Sequence, residues 1–298
     1  MPISARRPAF GAAVLALAAL TACSSAPEEA DGDSELLSGL GTLAADAGSK
    51  QVTFLDAAAV RELSKDAPKR FAAVSQPAGL LLNDPGSLGA GFEQAQIDTA
   101  VDTPEAGHWD GSFDAAGITA ALKSNGYSRT EKDGQEFWAR PEGDGASIQV
   151  SDDALSYSVR DSDPMALVDP QEGSSLADDK DFRRAAECLG DVYRADFNPL
   201  ESSGVARLAS LGQRASSASK NTEVLCFVAK DDAAAADLQS ELREIVRTGS
   251  PKFDGTKVTV EKGERPVVRA VVPDSADQRP GRLLVTDVEL WTAPAGDG

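Results

Sequence analysis

Residues 108–126 read His-Trp-Asp-Gly-Ser-Phe-Asp-Ala-Ala-Gly-Ile-Thr-Ala-Ala-Leu-Lys-Ser-Asn-Gly, and they carry the clearest change of hydrophobic period in the chain. The alternation of apolar or small residues with polar ones from His108 to Phe113 predicts a strand. Asp114 is a typical helix N-cap, and Gly126 supplies a helix stop after an apolar face with helical spacing. A strand is therefore expected to lead directly into a helix.

Hairpins are predicted on the C-terminal side of this helix. Two short strands are expected around the turn at Lys132–Gly134, with Phe137 and Trp138 on the second. Residues 148–159 alternate again across an Asp-Asp turn. Antiparallel hairpins are the simplest account, so the sequence predicts an α+β fold with antiparallel sheets and packed helices.

The C-terminal half repeats this outline. Val224–Val228 reads as a strand, Asp231 or Asp232 caps a helix that ends at Gly249, and Val258–Val272 reads as a hairpin. Leu284–Leu290 alternates and predicts a last strand. Both halves thus read β-α-β-β, which indicates two similar units on element order only; chance similarity of two α+β halves remains the alternative.

The remaining segments set the expected boundaries. Residues 204–220 are small and polar and predict a mobile loop, whereas residues 92–101 are ambiguous between helix and strand. The sequence therefore predicts a signal peptide over residues 1–22 and a flexible tether over 23–48. An N-terminal α+β unit over 49–170, a C-terminal α+β unit over 171–291 and a disordered tail over 292–298 are expected to follow.

The N-terminus predicts a membrane anchor. Arg6 and Arg7 precede an uncharged apolar run, Ala9–Ala22, which is shorter than the ~20 residues of a membrane-spanning helix. The run ends in Leu-Thr-Ala-Cys, which resembles a bacterial lipobox, so Cys23 is expected to carry acyl chains such as palmitate. The alternative is an ordinary secretory signal with a chance cysteine. The lipobox predicts attachment to the extracytoplasmic face of the cell membrane.

Two cysteines remain after Cys23. Outside the cytoplasm, an even number of remaining cysteines indicates a disulfide. It would join Cys188 on a predicted helix to Cys226 on a predicted strand. The alternative is two separate buried thiols, because free cysteine packs as a small hydrophobe. No Cys-x-x-Cys is present, so a thioredoxin-like role is not expected.

The charge and histidine counts exclude several classes of function. With 48 acidic and 29 basic residues, the formal net charge is −19, which argues against a nucleic-acid partner. The single histidine, His108, argues against zinc sites and Ser-His-Asp chemistry. No nucleophile or orienting acid can be identified beside it from the sequence, so no catalytic, cofactor-binding or metal-binding residue is predicted.

Three further motifs have simpler interpretations. Residues 217–220 match Ser-x-x-Lys, but the Ser-Asp-Asn and Lys-Thr-Gly motifs that accompany it in penicillin-recognising enzymes are absent. Residues 86–91 contain three glycines without dinucleotide-binding spacing. The aspartates at 178–181 and 152–153 suggest calcium, but they fit a helix N-terminus and a turn better.

Five segments together resemble exported lipoproteins of high-GC Gram-positive (actinobacterial) bacteria. They are the lipobox Leu20–Cys23, Gly111–Asp114 before the first helix, Asn125–Tyr127 after it, Asp153–Tyr157 and Ser175–Phe182. The resemblance implies export and lipid anchoring. It brings no catalytic residues and no cofactor with it.

These observations favour a non-enzymatic binding domain for an envelope protein or a small ligand. One alternative is a cell-envelope hydrolase that uses carboxylates alone, which would need two convergent carboxylates in a cleft. A second alternative is a solute-binding lipoprotein of a transporter, although the hairpins do not match doubly wound lobes.

Overall fold

The computed structural model describes residues 34–79, 88–132, 134–141, 145–159, 165–200 and 204–295. The helices, in chain order, are α1 (Glu35–Leu40), α2 (Ala57–Ser64), α3 (Pro68–Phe71), α4 (Ala115–Ser124), α5 (Lys180–Leu189), α6 (Asp232–Thr248), α7 (Arg282–Val285) and α8 (Glu289–Thr292). The strands are β1 (Val52–Asp56), β2 (Ile97–Asp102), β3 (Ala106–Gly111), β4 (Ser128–Lys132), β5 (Gln135–Ala139), β6 (Ser147–Val150), β7 (Ala154–Ser158), β8 (Arg194–Pro199), β9 (Ala206–Ser217), β10 (Lys220–Ala229), β11 (Lys257–Glu261) and β12 (Val267–Pro273).

The strands form a 12-stranded sheet in the order β11-β12-β10-β9-β8-β1-β2-β3-β7-β6-β5-β4. Neighbouring strands pair antiparallel throughout this order. The predicted α+β class, with antiparallel strands and packed helices, is therefore confirmed. The strand and helix predicted around Asp114 are β3 and α4, and the Asp114 carboxylate accepts a hydrogen bond from the Gly117 amide.

The two halves of the sheet follow the same order of elements. Three strands, β1-β2-β3, precede α4, and β7 then returns beside β3 with β6 next to it. In the second half β8-β9-β10 precede α6, and β12 returns beside β10 with β11 next to it. The first half also has α2 and α3 between β1 and β2, and one extra hairpin, β4–β5. The halves meet where β1 pairs with β8, so both predicted units supply strands to one sheet, and the domain boundaries stay predictions.

Side chains alternate between the two faces of the sheet. One face is covered by α1, α5 and residues 165–177, which form a single hydrophobic cluster with the side chains of that face. Phe54 of β1 and Cys226 of β10 belong to this cluster. The other face carries two clusters, one under α2–α4 and one under α6–α8. Leu55, next to Phe54, packs in the first of these, as strand geometry requires.

The ends of the folded region extend further than the sequence predicts. Within the tether predicted over residues 23–48, the helical spacing of Leu36, Leu37, Leu40 and Leu43 predicts a short helix, and α1 confirms it. Leu36, Leu40 and Leu43 are buried in the core, so the chain from Ser34 onward is not a flexible tether. The tail predicted from residue 292 is wrong as far as Ala295, because Ala293–Ala295 form a 3-10 turn and Ala293 is buried. Burial of these apolar side chains stabilises both segments against the sheet.

Two internal predictions are also wrong. The mobile loop expected over residues 204–220 is mostly β9, a 12-residue strand near the middle of the sheet. The strand expected over Leu284–Leu290 is instead the pair of short helices α7 and α8. The ambiguous stretch 92–101 contains a 3-10 turn, Gln94–Gln96, followed by β2.

The predicted signal peptide, residues 1–22, and the predicted acylation site Cys23 lie outside the described residues. The described helices include none that is long and apolar enough to cross a membrane.

Candidate functional site

A cavity of about 1180 Å³ lies at the β4–β5 end of the sheet. Its lining comes from β3, β4, β5, β6, β7, α4 and the C-terminal end of α1. The β4–β5 hairpin is joined to the rest of the sheet at a single residue pair, Trp138 with Ile148. Beside that pair the Gln149 side-chain amide donates to the carbonyl oxygen of Glu136 over 3.1 Å. Because β5 and β6 pair at only this one position, β5 diverges from β6 along the rest of its length, and the cavity lies where the two strands diverge.

A second cavity of about 540 Å³ adjoins the first. Phe137 and Asp169 line both cavities, so the two share one boundary. Phe137 is buried against the cluster that contains α1 and α5. The apolar wall of the cavity is thus continuous with the core and has a fixed position.

A row of directly opposed polar residues crosses three strands in the larger cavity. His108 on β3 is the cross-strand partner of Ser156 on β7, and Ser156 is the partner of Gln149 on β6. All three side chains line the cavity. Directly opposed residues of antiparallel strands share a face and have Cβ atoms about 4.5–5.5 Å apart. The row is therefore a consequence of strand register.

Hydrogen bonds connect part of this row to two further residues. His108 Nδ1 lies 2.8 Å from Ser156 Oγ, and His108 Nε2 lies 3.1 Å from Asp110 Oδ1. Thr99 Oγ1 on β2 donates to the other carboxylate oxygen of Asp110 over 3.0 Å. The His108 and Asp110 side chains are 18% and 54% exposed, and Ser156 is 8% exposed. The array thus runs from a nearly buried hydroxyl to a solvent-facing carboxylate.

The position of the ring proton on His108 follows from the ionisation of its neighbour Asp110. The hydrogen bond from His108 lowers the pKa of Asp110, burial opposes this effect, and the bond from Thr99 adds to it. An ionised carboxylate only accepts hydrogen bonds, so the imidazole proton sits on Nε2. In the neutral ring Nδ1 then has a lone pair and accepts the Ser156 hydroxyl proton.

Charged and aromatic side chains complete the lining. Lys123 Nζ lies 5.3 Å from the centre of the Trp138 ring, as in a cation–π contact. Arg129 forms an ion pair with Glu136 across the β4–β5 hairpin. The cavity thus presents an apolar surface, both signs of charge and several neutral hydrogen-bonding groups.

Carboxyl groups with a strongly raised pKa lie in the interior and not in this cavity. Burial raises the pKa of Asp102 to about 6, although Trp109 Nε1 and the Tyr157 hydroxyl each donate to Asp102 Oδ1 over 2.8 Å. Burial raises the pKa of Glu223 to about 8. Neither lines the cavity. The carboxylates that do line the cavity are Glu136, which forms an ion pair with Arg129, and Asp169 at the boundary with the second cavity.

The structure places two partners beside His108 that are not predicted from the sequence. Its ring nitrogens lie within hydrogen-bonding distance of Asp110 and Ser156. Asp110 could have been found, because residues two apart on a strand share a face. Ser156 could not, because its position depends on pairing with a strand 48 residues away.

The other motifs keep their simpler interpretations. Ser217 and Lys220 are paired at the turn between β9 and β10, and neither lines the cavity. Asp179 caps α5, Asp178 accepts hydrogen bonds from Ser175, and Asp181 pairs with Arg265. Among the residues that the structure describes, no group of three or more His, Cys, Asp or Glu could hold a metal ion.

A disulfide joins Cys188 to Cys226, with their Cα atoms 6.2 Å apart. It ties α5 to β10 on the face of the sheet that α5 covers, so the predicted pairing is confirmed. Both cysteines lie outside the cavity lining, and the bond is structural.

Comparisons with protein-family models, with curated proteins and with solved structures find no match to this chain.

Proposed function

We propose that this chain is an extracytoplasmic lipoprotein, anchored to the cell membrane through Cys23, whose folded part binds a small ligand. The observation that carries the binding proposal is the cavity of about 1180 Å³ at the β4–β5 end of the sheet. Ligand sites are typically clefts of about 300–1,000 Å³ with an apolar lining and a few convergent polar groups, so this cavity is slightly larger than the usual range.

The lining favours an amphipathic ligand. Phe137 and Trp138 offer apolar surface, whereas His108, Gln149 and Ser156 offer neutral hydrogen-bonding groups along one row. The cations Lys123 and Arg129 already have partners in Trp138 and Glu136. We therefore expect a molecule with one apolar part and one polar part rather than a multiply charged ion.

Binding is tested first by thermal unfolding of the purified protein with a panel of sugars, amino acids and short acyl compounds. A ligand that binds the folded state raises the unfolding temperature. Trp138→Phe and Trp291→Phe then form a matched pair. Trp138 lines the cavity, whereas Trp291 lies on α8 and packs against the hydrophobic cluster beneath α6–α8. The fluorescence change caused by the ligand should vanish in Trp138→Phe and persist in Trp291→Phe. The reverse pattern would place the ligand elsewhere.

The anchor is supported by the basic residues, apolar run and lipobox of residues 1–23. The disulfide also supports it, since disulfides persist in oxidising compartments outside the cytoplasm. Cys23→Ala should move the protein from the membrane fraction to the soluble fraction of cells, whereas Ser24→Ala should leave it with the membrane. Retention of Cys23→Ala at the membrane would refute acylation.

A further inference from the structure

We propose that Ser156, His108 and Asp110 make the cavity an acyl-transfer site that hydrolyses small carboxylic esters. Three observations support this proposal. The nucleophile and base are in contact, with Ser156 Oγ 2.8 Å from His108 Nδ1. The base is oriented by a carboxylate, with Asp110 Oδ1 3.1 Å from His108 Nε2. Both His108 and Ser156 line a cavity that can admit a substrate. A hydroxyl, an imidazole and an orienting acid in this order are the parts that nucleophilic acyl transfer needs.

The reaction balances without any group beyond water. Ser156 Oγ bonds to the ester carbonyl carbon, its proton passes to His108 Nδ1, and the carbonyl π electrons move to oxygen. When the carbonyl re-forms, the bond to the alkoxide oxygen breaks and His108 returns the proton to it, releasing an alcohol. Water then attacks the acyl carbon in the same way, gives its proton to His108, and Ser156 leaves with that proton. Asp110 stays ionised and acts as a positioning residue for the ring.

Gln149 is placed to stabilise the oxyanion. It is the cross-strand partner of Ser156 on the side opposite His108, and it lines the cavity. Its Nε2 donates one hydrogen bond to Glu136 O over 3.1 Å, which fixes the amide, and the same nitrogen carries a second N–H. Side-chain amides of this kind serve as oxyanion donors in acyl-transfer enzymes.

The lining also suggests the substrate class. Phe137 and Trp138 suit an acyl chain or another apolar group, and the polar row suits the ester itself. The ester hydrolysis proposal rests on the proposed ligand cavity but not on the lipid anchor. It requires one reactive serine, which makes it directly testable.

The test is labelling of the full chain, purified in detergent, with an alkyl fluorophosphonate. Ser156 Oγ would bond to phosphorus, fluoride would leave, and His108 would take the hydroxyl proton. Peptide mapping should find the label on Ser156 in the unmodified chain and in the control Ser240→Ala, whose serine lies on α6. Ser156→Ala should abolish the label. His108→Gln should slow labelling by about 100-fold or more, since a general base contributes about that much.

Asp110→Asn separates catalysis from structure. The asparagine amide can donate to Nε2 and so favours the tautomer with the ring proton on Nδ1, which can no longer accept the Ser156 proton; labelling should slow while the unfolding temperature stays the same. Unlabelled Ser156 in the unmodified chain, or equal labelling rates in His108→Gln and the unmodified chain, would overturn the proposal. A ligand-induced rise in the unfolding temperature of Ser156→Ala would then show that binding survives without chemistry.

Discussion

Glu223 shows how one buried residue organises the C-terminal segment. Its carboxyl is fully buried, and Oε1 accepts a hydrogen bond from the Arg282 amide over 3.0 Å while Oε2 accepts one from the Gln213 side chain over 2.8 Å. Burial and, to a smaller extent, the neighbouring Asp274 carboxylate raise its pKa to about 8, although the bond from Gln213 and the charge of Arg282 oppose the rise. Burial outweighs the donors because it penalises the charged form more strongly.

This shift predicts a stability that falls with rising pH. The folded state holds the Glu223 proton more tightly than the unfolded chain, whose ordinary pKa is 4.5. The stabilisation is complete below that value and is lost as the pH rises through about 8. Glu223→Gln should flatten the dependence of the unfolding free energy on pH in this window, where one proton gives a slope of up to about 1.4 kcal/mol per pH unit. Urea unfolding at several pH values measures it, and identical slopes would contradict the account.

His108 marks the limit of sequence reasoning at the scale of single residues. The chain has one histidine, so its position was known, but its chemistry depends on a partner brought in by strand register. Register is set by the whole sheet and its turns and cannot be read from residues 106–111 alone. The role of a polar residue on a predicted strand can therefore be assigned only when the pairing of that strand with its neighbours is known.

At the scale of elements, the C-terminal helices show why alternation misled the prediction. Leu284–Leu290 alternates as a strand would, but Leu283 and Leu290 are the fully buried leucines and Val285 is 69% exposed. Leu283 lies on α7 and Leu290 on α8, and the Arg282 and Leu283 amides at the start of α7 bond to the Glu223 carboxylate. That carboxylate is 59 residues distant in sequence and could not be anticipated.

Leu283→Ala and Val285→Ala distinguish the two arrangements. In the structure, Leu283→Ala leaves a cavity beneath α7 and should lower the unfolding free energy by about 2–5 kcal/mol. Val285→Ala changes an exposed side chain and should stay within about 0.5 kcal/mol. Chemical denaturation of both variants measures the difference. Equal costs would contradict the helical arrangement.

The disulfide gives a second prediction at this scale. It closes a loop with a sequence separation of 38 residues between α5 and β10. In the chain-entropy model such a loop stabilises the folded state by about 4 kcal/mol. The double variant Cys188→Ala/Cys226→Ala should lose about that much unfolding free energy, and reductant should then have no effect on it. A loss below about 1 kcal/mol would show that the bond constrains little.

The strand β9 shows why composition can hide a central element. Its small residues suggested a loop, but they are small because other elements pack closely on them. A Cβ added at Gly212 would lie 2.7 Å from Val192 Cγ1, and Ser210 Oγ donates to the carbonyl oxygen of Cys226 over 2.8 Å. Close packing of neighbouring elements requires these small residues, and nothing local in the sequence distinguishes them from a flexible linker.

At the scale of the whole molecule, the α+β class could be predicted from local periodicity, and the disulfide from the number of cysteines. The joining of the two halves could not, because β1 and β8 pair over more than a hundred residues of sequence. The cavity shares this origin, since it exists where the β4–β5 hairpin diverges from the sheet after one residue pair. Local periodicity predicts elements, whereas the pairing of distant strands creates the site.

His108 is held between Asp110 and Ser156, and nitrogen NMR of the imidazole reports this arrangement from a single ring, because the chain contains one histidine. For the neutral ring we expect a single tautomer with the proton on Nε2 and a lone pair on Nδ1, and a mixture of tautomers in Asp110→Ala. A proton on Nδ1, or the same averaged signals in both proteins, would contradict it.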